Sequence, residues 1–431
     1  QGALCCKLLV ISDKSCIRED RNLDSGISRY SRAVIERKER LELLTTRIEH
    51  NPVVPTPPPM QTDWIEEKQL AQALRRHEAF WRGELETGPL MWVTVPGARP
   101  SRPVPEPASE AEFWTNVDYV IAAAESALAG THYAGDALPV FCPWLGPDQF
   151  AAWLGADLVL CPRQSTSWSR PFVQDWGNHA DLRIDPGNRW WQLYLQLVRE
   201  SVRAGRGKWV TGYPDLHSGI DALSALRGPE QLALDLKHAP AAIHRAMRQM
   251  TALWKEVVDT VSALVLPAGQ GTSNWTMGWS QDRFLCIGQN DFSCMIGPRM
   301  FEEFCWQDNR ECCAHVDRSL YHLDGPGAVR HVPTLLRLER LDCIQWIQGA
   351  GQPLPSQWLG LLRQIQAAGK AVQLYYGVGH GGDADLKREI DALSGALDSA
   401  RLFIWAAAPS VQEAEDIVRY SRSAFRNRRT A

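Results

Sequence analysis

The sequence predicts an α/β protein, a (β/α)8 TIM barrel with an inserted hairpin and an irregular N-terminal extension. Short apolar runs typical of buried strands alternate with helical segments along most of the 431 residues, and the last four units recur regularly. The predicted strands are 89–95, 138–142, 208–213, 284–288, 319–323, 341–347, 371–376 and 401–406. The main predicted helices are 111–128, 187–204, 240–263, 298–315, 328–337, 355–368, 384–397 and 410–425. A doubly wound open sheet is the alternative, but no G-x-G-x-x-G motif follows the first strand.

A hairpin and an N-terminal extension depart from this regular alternation. Residues 157–176 contain two strand-like runs and predict a β-hairpin inserted between the second and third units. Residues 1–62 are charged and irregular, and they include a proline-rich stretch, 52–59, that is typical of a linker. We therefore predict a poorly ordered extension over 1–62 and the barrel domain over 63–431. The first helix of this domain is predicted to begin near Asp63, a suitable N-cap residue.

Composition argues against several functional classes. The formal net charge is −4 with acidic and basic residues interleaved, so no broad surface for nucleic acid is predicted. The sequence contains no stretch of about 18 consecutive apolar residues, so no membrane-spanning helix is predicted. The 11 cysteines include no C-x-x-C pair and are interpreted as small buried apolar residues. No basic region precedes the short apolar run near the amino terminus, so we expect a cytoplasmic protein without a secretory signal.

Residues 321–325 (YHLDG) form the most informative segment of the chain. Because side chains alternate along a strand, His322 and Asp324 would share one face at the carboxyl end of the fifth predicted strand. Barrel and open-sheet enzymes carry their catalytic groups at this end. Asp324 would orient the imidazole and raise its basicity, which leaves His322 as an acid/base or a metal ligand. The alternative is a histidine satisfied by a carboxylate within the packing of the barrel.

Two further loops that follow predicted strands carry candidate catalytic residues. Asp215 and His217 follow the third strand, where the alternative is a role in a turn or a helix cap. Asp291 follows the fourth strand, and Asn290 beside it is a candidate hydrogen-bond donor to a substrate. Together with the pair on the fifth strand, these residues are predicted to gather in one site at the carboxyl ends of the strands.

Aromatic and polar side chains at other strand ends are candidates for substrate binding. The candidates are Trp279, Tyr321, Gln345, Trp346, Tyr375, Tyr376 and Trp405, and Trp275 belongs to the same set of aromatic residues at strand ends or in their loops. Their rings would line an apolar pocket for a large planar ligand or form an aromatic cage for a quaternary ammonium group. Packing within the core is the alternative for part of this set.

Three segments of the chain match motifs of one known family. They are residues 212–223 (GYPDLHSGIDAL) with Leu226-Arg227-Gly228, residues 296–304 (IGPRMFEEF), and residues 321–325. Together they resemble the uroporphyrinogen decarboxylase superfamily, which also contains the corrinoid-linked methyltransferases. They would correspond to a strand–loop–helix with a leucine–basic–glycine step, a helix start, and the methyltransferases' His-x-Cys-Gly zinc-binding turn. The resemblance covers roughly residues 65–425 and implies a divergent member with a (β/α)8 barrel.

Two positions depart from the patterns of the family. The decarboxylases have an arginine-rich turn after the first strand that binds substrate carboxylates, whereas residues 93–100 (VTVPGARP) keep at most Arg99. A tetrapyrrole with many carboxylates needs several charge-assisted contacts. In the methyltransferases a cysteine binds zinc where this chain has Asp324, and no cysteine follows the last strand. His322 and Asp324 with a further ligand stay candidates for a metal site.

The resemblance implies an enzyme, and three functions stay open from the sequence. The first is a methyl- or alkyl-group transferase that acts on a small or cofactor-bound substrate, with a corrinoid protein or a thiol as partner. The second is a uroporphyrinogen or porphyrinogen decarboxylase, a lyase of tetrapyrrole metabolism. The third is a non-catalytic ligand-binding barrel. The cofactor is unknown, with zinc or no cofactor as the candidates, and a homodimer is one expected assembly.

Overall fold

A central seven-stranded sheet, mainly parallel, organises the protein. The structure is a computed structural model and describes residues 62–179, 181–377 and 385–429. The strands are β1 (Leu90–Val95), β2 (His132–Gly135), β3 (Val140–Phe141), β4 (Asp157–Cys161), β5 (Thr166–Arg170), β6 (Val210–Thr211), β7 (Phe284–Gly288), β8 (Arg318–Asp324), β9 (Cys343–Ile347), β10 (Ala371–Tyr376) and β11 (Leu402–Ala407). Their order in the central sheet is β2-β1-β11-β10-β9-β8-β7. Only β2 runs antiparallel to its neighbour there.

Helices connect most of these strands along the chain. They are α1 (Glu67–Arg82), α2 (Glu112–Thr115), α3 (Val117–Ala129), α4 (Gln149–Trp153), α5 (Arg189–Gly205), α6 (Ile220–Arg227), α7 (Pro229–His238), α8 (Pro240–Val265), α9 (Pro298–His315), α10 (Gly325–Ala328), α11 (Val332–Leu335), α12 (Leu359–Ala367), α13 (Leu386–Ser394) and α14 (Val411–Arg429). Two consecutive parallel strands need such a crossover, because the first strand ends at the opposite end of the sheet from the point where the second strand begins. The fold is therefore mixed α/β, as the sequence predicts at this level.

Predicted and observed elements agree most closely in the second half of the chain. Strands β7 and β10 have the predicted bounds, and β8, β9 and β11 differ from prediction by one or two residues. In the first half, β3 and β6 are shorter than predicted, and the helix expected to begin near Asp63 begins at Glu67. The hairpin predicted within 157–176 is present as the antiparallel pair β4 and β5.

Hydrogen bonds do not close the central sheet into a barrel within the described residues. Strands β3 and β6 form a separate two-stranded parallel sheet. Strand β2 occupies one edge of β1 as an antiparallel neighbour, and Tyr213, just after β6, pairs with Asn274 and not with β7. The mainly parallel sheet is thus confirmed, whereas the complete eight-stranded barrel is not.

Side chains alternate between the two faces of the central sheet, and each face has its own core. The larger core, completed by helices, includes Met91, Val93, Leu374 and Ile404 of the strands. The smaller core includes Leu90, Leu320, Phe284 and Phe403. We call the face of the smaller core the α1 face, because α1 packs against it. The ring of Phe80 in α1 lies 5.9 Å from that of Phe403, and the Trp81 ring lies 4.7 Å from that of Phe284.

Helix α1 covers the α1 face at the amino ends of the strands. Its buried apolar residues, Leu70, Ala73, Phe80 and Trp81, recur at helical spacing. Gly83 ends the helix in the left-handed conformation with φ of 69°. Arg76 forms a buried ion pair of 2.8 Å with Asp136, whose other oxygen accepts the backbone N–H of Met91. Because breaking this pair would leave a buried charge unpaired, it fixes α1 to the edge formed by β1 and β2.

Residues 1–61 of the predicted N-terminal extension lie outside the described residues. The boundary at residue 63 therefore stays a prediction. Among the helices that the structure describes, none has both the length and the apolar character needed to span a bilayer.

Candidate functional site

A row of polar side chains crosses the carboxyl half of the α1 face. Parallel register aligns His322 on β8 with Gln345 on β9, and Gln345 with Gln373 on β10. The Nδ1 atom of His322 lies 2.5 Å from Gln345 Oε1, and Gln345 Nε2 donates to Gln373 Oε1 at 2.7 Å. Gln373 Nε2 donates in turn to the backbone carbonyl of Thr276 at 2.8 Å. Both glutamines are almost completely buried, so this row is a fixed internal network.

Partly exposed aromatic rings lie in and beside this part of the face. The Trp275 ring is tilted against the His322 imidazole, with the ring centroids 4.8 Å apart. Tyr375 on β10 is in register with Trp405 on β11, and their rings are 4.3 Å apart. All three rings keep partial exposure, whereas Trp92 on β1 is buried. The exposed parts of the Trp275 and Trp405 rings can therefore contact a ligand.

His217 lies among carboxylates in the loop between β6 and α6. Its Nδ1 is 3.5 Å from Asp148 Oδ1, while its Nε2 is 3.4 Å from Asp291 Oδ2 and 3.9 Å from Asp221 Oδ2. Its backbone N–H donates to Asp215 Oδ1 at 3.1 Å. The φ angle of His217 is 42°, which is uncommon for a histidine. The surrounding contacts impose this conformation on the loop.

Hydrogen bonds join this loop to the segment after β7. Asp221, in the first turn of α6, accepts the backbone N–H groups of Asp291 at 3.1 Å and Phe292 at 2.9 Å. The side-chain amide of Gln289 donates to both oxygens of Asp215, at 3.1 and 3.2 Å. The carboxyl ends of β6 and β7 are thus held together, although no ladder joins these strands in the described residues.

The charges in this cluster influence one another. Burial disfavours a charged His217, but the ion-pair contact with Asp148 and the hydrogen bond with Asp291 outweigh it and raise the pKa of His217 well above its usual value. Burial also disfavours a charged Asp291, but the hydrogen bond with His217 lowers the pKa of Asp291. Burial raises the pKa of Asp221 to about 7. At neutral pH the cluster therefore contains a protonated His217 beside an ionised Asp291.

Asp215 and Asp291 in the cluster around His217 lie close enough to His322 for its charge to influence their pKa values. Burial is the largest influence on the pKa of Asp215 and raises it, while positive charge on His217 or on His322 acts in the opposite direction. Charge on His322 also adds to the effect of His217 on Asp291. The structure thus brings four of the predicted catalytic residues within electrostatic reach of one another.

Three of the predicted substrate-binding residues lie on the opposite face of the sheet, which corrects their assignment. Tyr321 donates its hydroxyl to a backbone carbonyl, Trp346 packs against another tryptophan, and Tyr376 donates to a glutamate. Their chain neighbours on the α1 face are His322, Gln345 and Tyr375. Neighbouring side chains on a strand point to opposite faces, so only one member of each pair reaches the site.

Asp324, Trp279 and Asn290 also have placements that differ from their expected roles. Asp324 is exposed at the end of β8, and Nδ1 of His322 is bonded to an amide oxygen, not to this carboxylate. Trp279 is buried toward α1, where its indole N–H donates to a backbone carbonyl and its own carbonyl accepts from Trp81. Asn290 is buried and donates to two side chains. Asn290 therefore stabilises the loop after β7 beside the site, whereas Trp279 belongs to the packing against α1 at the amino end of the face.

Sequence reasoning missed several residues of the site, among them Asp148, Asp221 and Gln373. Gln373 carries a usable signal, because it lies two residues before Tyr375 on the same predicted strand and so shares its face. Asp221 directly follows the first residue of a helix, where an acidic side chain is commonly interpreted as favouring the helix dipole. Asp148 precedes α4, far from His217 in the chain, and nothing local connects the two.

The zinc site considered from the sequence does not fit the donors at this position. In the ranges that the structure describes, no three His, Cys, Asp or Glu side chains converge so as to hold a metal ion. The His322 ring is hydrogen-bonded to the Gln345 amide and packs against the Trp275 indole, which are not usual zinc ligands.

Comparison with known proteins gives a similarity of fold. No protein-family model and no curated protein matches the sequence. Among solved structures, the chain is similar to a methyltransferase from Methanosarcina mazei, with a TM-score of 0.51 and 12% sequence identity. The similarity covers 83% of this chain and 99% of that chain. At this identity, the likeness shows a shared fold.

Proposed function

We propose that the protein is a methyl- or alkyl-group transferase of the uroporphyrinogen decarboxylase superfamily, with its active site at the carboxyl ends of β8, β9 and β10. The proposal includes a divergent eight-stranded barrel. Support comes from the fold shared with a methyltransferase over 83% of this chain, and from the motifs at residues 212–223 and 296–304. The parallel run β7 to β11 with β1 supplies most of the strands that such a barrel needs.

The observation that carries the proposal is the polar row of His322, Gln345 and Gln373. Three polar side chains occupy consecutive strands on a face whose other half is apolar. Burying amides is unfavourable unless each is hydrogen-bonded, and apolar residues would serve packing equally well. A network that presents one imidazole at a strand end supports a chemical role for that imidazole.

In the proposed reaction His322 is the general base. Its Nε2 atom takes the proton of the acceptor, for which we propose a small thiol. The acceptor sulfur forms a bond to the methyl carbon while the bond from that carbon to the leaving atom of the donor breaks. The electron pair of the broken bond stays with the leaving atom. A cationic donor, such as a methylated ammonium or sulfonium compound, therefore leaves as a neutral molecule, and the two substrates with His322 account for every proton and electron.

The surroundings of His322 suit a cationic donor. The rings of Trp275, Tyr375 and Trp405 offer faces for cation–π contact. Asp215 and Asp291 add carboxylates within electrostatic reach of the imidazole. A methylated corrinoid on a partner protein is a second donor class, and the experiment below distinguishes the two.

Porphyrinogen decarboxylation has less support. Arg99, the arginine retained in the turn after β1, donates from Nη1 to the backbone carbonyl of Trp64 at 2.7 Å, so it already serves the fold. Asp215 and Asp291 lie within electrostatic reach of His322, where carboxylates would repel a substrate that carries many carboxylates.

Isotope transfer tests the proposal directly. The purified protein is incubated with small thiols and one of three trideuteromethyl donors: a quaternary ammonium, a sulfonium or methylcobalamin. Mass spectrometry then measures the labelled thioether. We expect label from a cationic donor, and His322→Ala should lower the rate about 10²–10⁴-fold because the general base is lost. His238→Ala, at an exposed position at the end of α7, is the matched control and should keep the wild-type rate.

Three outcomes would contradict parts of this proposal. Folded protein that transfers no label from any donor would overturn the transferase function. Transfer that depends on stoichiometric zinc in the purified protein would replace the base mechanism with a metal-dependent one. Full activity in the His322→Ala variant would move the chemistry to Asp215 and His217.

A further inference from the structure

The hydrogen bonds of the polar row have a direction that one backbone atom fixes. The carbonyl oxygen of Thr276 can only accept a hydrogen bond, so the partner atom of Gln373 must be its donating Nε2. The Oε1 atom of Gln373 then accepts from Gln345 Nε2. This leaves Gln345 Oε1 toward His322, and an oxygen without hydrogen requires that Nδ1 of His322 donates.

We infer that Gln345 and Gln373 are positioning residues that hold His322 as the Nδ1–H tautomer. In this form Nε2 carries the lone pair and is the atom that can accept a proton. Reversal of both amides would place Gln373 Oε1 against the Thr276 carbonyl, where two acceptors would meet without a hydrogen between them. The protein thus selects the tautomer through neutral amides, whereas the sequence interpretation had assigned this role to Asp324.

The terminal carbonyl is itself held in place by a compact turn. Thr276 is completely buried, and both its backbone N–H and its hydroxyl donate to Asn274 Oδ1, at 2.9 and 2.7 Å. The backbone N–H of Trp275 donates to the Tyr213 carbonyl at 3.1 Å. The same turn therefore contacts His322 twice, through the Trp275 ring and through the two glutamines. A fixed acceptor at the end of the row is what gives the row a single direction.

This inference rests on the proposed function for its chemical meaning. A general base must present a lone pair to its substrate, and the Nδ1–H tautomer presents it at Nε2. After proton uptake, Nδ1–H stays bonded to Gln345, so the ring keeps its orientation through the reaction. An amide orients the ring without adding negative charge, in contrast to the carboxylate partner of many catalytic histidines.

Nuclear magnetic resonance of the ¹⁵N-labelled histidine side chains measures the tautomer without any substrate. Long-range ¹H–¹⁵N spectra, with His322 assigned by its absence in His322→Ala, should show a protonated Nδ1 and an unprotonated Nε2 above the titration range. Gln373→Met removes both the donor to Thr276 and the acceptor for Gln345. The Gln345 amide then loses its fixed direction, and the two nitrogen shifts of His322 should move toward each other as the tautomers mix.

The control variants separate orientation from simple packing. The double variant Gln345→Glu with Gln373→Met keeps an acceptor for Nδ1–H and removes the Gln373 oxygen that a carboxylate would face, so it should retain the wild-type signature. Gln345→Met should lose that signature. Equal behaviour of these two variants would show that Gln345 only fills space. An Nε2–H tautomer in the unaltered protein would overturn the inference without need of any variant.

The result is distinguishable from failure of the proposed function. If the Nδ1–H signature is present and no donor transfers its methyl group, the positioning role stands and the transferase function does not. If transfer occurs while the tautomer is mixed in the wild type, the transferase function stands and the role of the glutamines is overturned.

Discussion

The two ends of the α1 face contain histidines in opposite situations. At the amino end, His77 of α1 is completely buried among Trp92, Trp279 and Phe403, and its Nε2 lies 2.9 Å from the carbonyl of Asp136. Burial lowers the pKa of His77 to about 4. At the carboxyl end, His322 is only partly buried, and its one bonded nitrogen faces a chain of amides.

The difference separates a histidine that packs from a histidine that can react. Burial forces the neutral form of His77 although the Asp136 carboxylate acts in the opposite direction, and a closed apolar shell gives no access to a substrate. Partial exposure with one nitrogen fixed leaves the second nitrogen available. The covered end therefore supplies stability to the sheet, while the open end can hold polar groups in a defined geometry.

Phe403→Ala and Trp405→Ala each remove one ring from β11, and their losses of unfolding free energy should show the largest difference between the two ends of the α1 face. Phe403 and Trp405 lie on the same face of β11, with Phe403 1% exposed and Trp405 partly exposed. Phe403→Ala should lower the free energy of unfolding by about 3–5 kcal/mol, because a buried ring leaves a cavity. Trp405→Ala should cost less, since part of its ring already contacts solvent. Urea unfolding measures both, and equal losses would contradict a covered and an open end.

The His77→Gln variant tests the covered end through pH. The folded-state pKa of about 4 lies below the unfolded value of 6.5, so His77 contributes stability above pH 6.5 that is lost as the pH falls through 4. The full shift corresponds to about 3 kcal/mol. A glutamine can still donate to the Asp136 carbonyl but does not titrate, so the variant should lose less stability on acidification. Parallel pH profiles for the two proteins would contradict the forced neutral state of His77.

The His217→Asn variant tests the open end, where the stability contributed by the histidine should depend on pH in the opposite direction. The folded-state pKa of His217 is raised, so its stabilisation is fully present below its usual pKa and is lost as the pH rises through the raised value. Asparagine tolerates the positive φ at this position, and we expect a loss of about 1–3 kcal/mol at pH values below the usual pKa of histidine at which Asp291 is still ionised. The pKa of Asp291, which His217 lowers, should rise in the variant. Carboxyl ¹³C titration measures that rise, and an unchanged Asp291 would contradict the contact.

The Trp275→Phe variant should have the smallest effect. The smaller ring keeps an aromatic contact with His322, so the loss of unfolding free energy should be within about 0.5–1.5 kcal/mol. The glutamines are untouched, so the tautomer of His322 should not change. A mixed tautomer in this variant would show that the indole, and not the amide row, orients the imidazole.

Local patterns in the sequence were sufficient to predict several features of the structure. Strands β7 and β10 have their predicted bounds, because a short apolar run between turns is a local signal. The position of His322 near the end of a buried strand also follows from the sequence alone. The same holds for the loops that carry Asp215, His217 and Asp291, since each follows directly after an apolar run. The α/β class and the loops after these apolar runs were thus predictable, while the catalytic roles of the residues in them stay predictions.

Tertiary structure alone decided which side chains meet. Gln345 faces His322 and Trp346 does not, because the register between β8 and β9 fixes the face of each residue. The end of the polar row at Thr276 and the contact of Asp148 with His217 join residues far apart in the chain. No local pattern encodes such contacts, since they depend on strand register and on loop packing that all the intervening elements determine together. The sequence by itself determined the elements and the edge of the sheet that carries the polar residues, and the tertiary structure determined their partners.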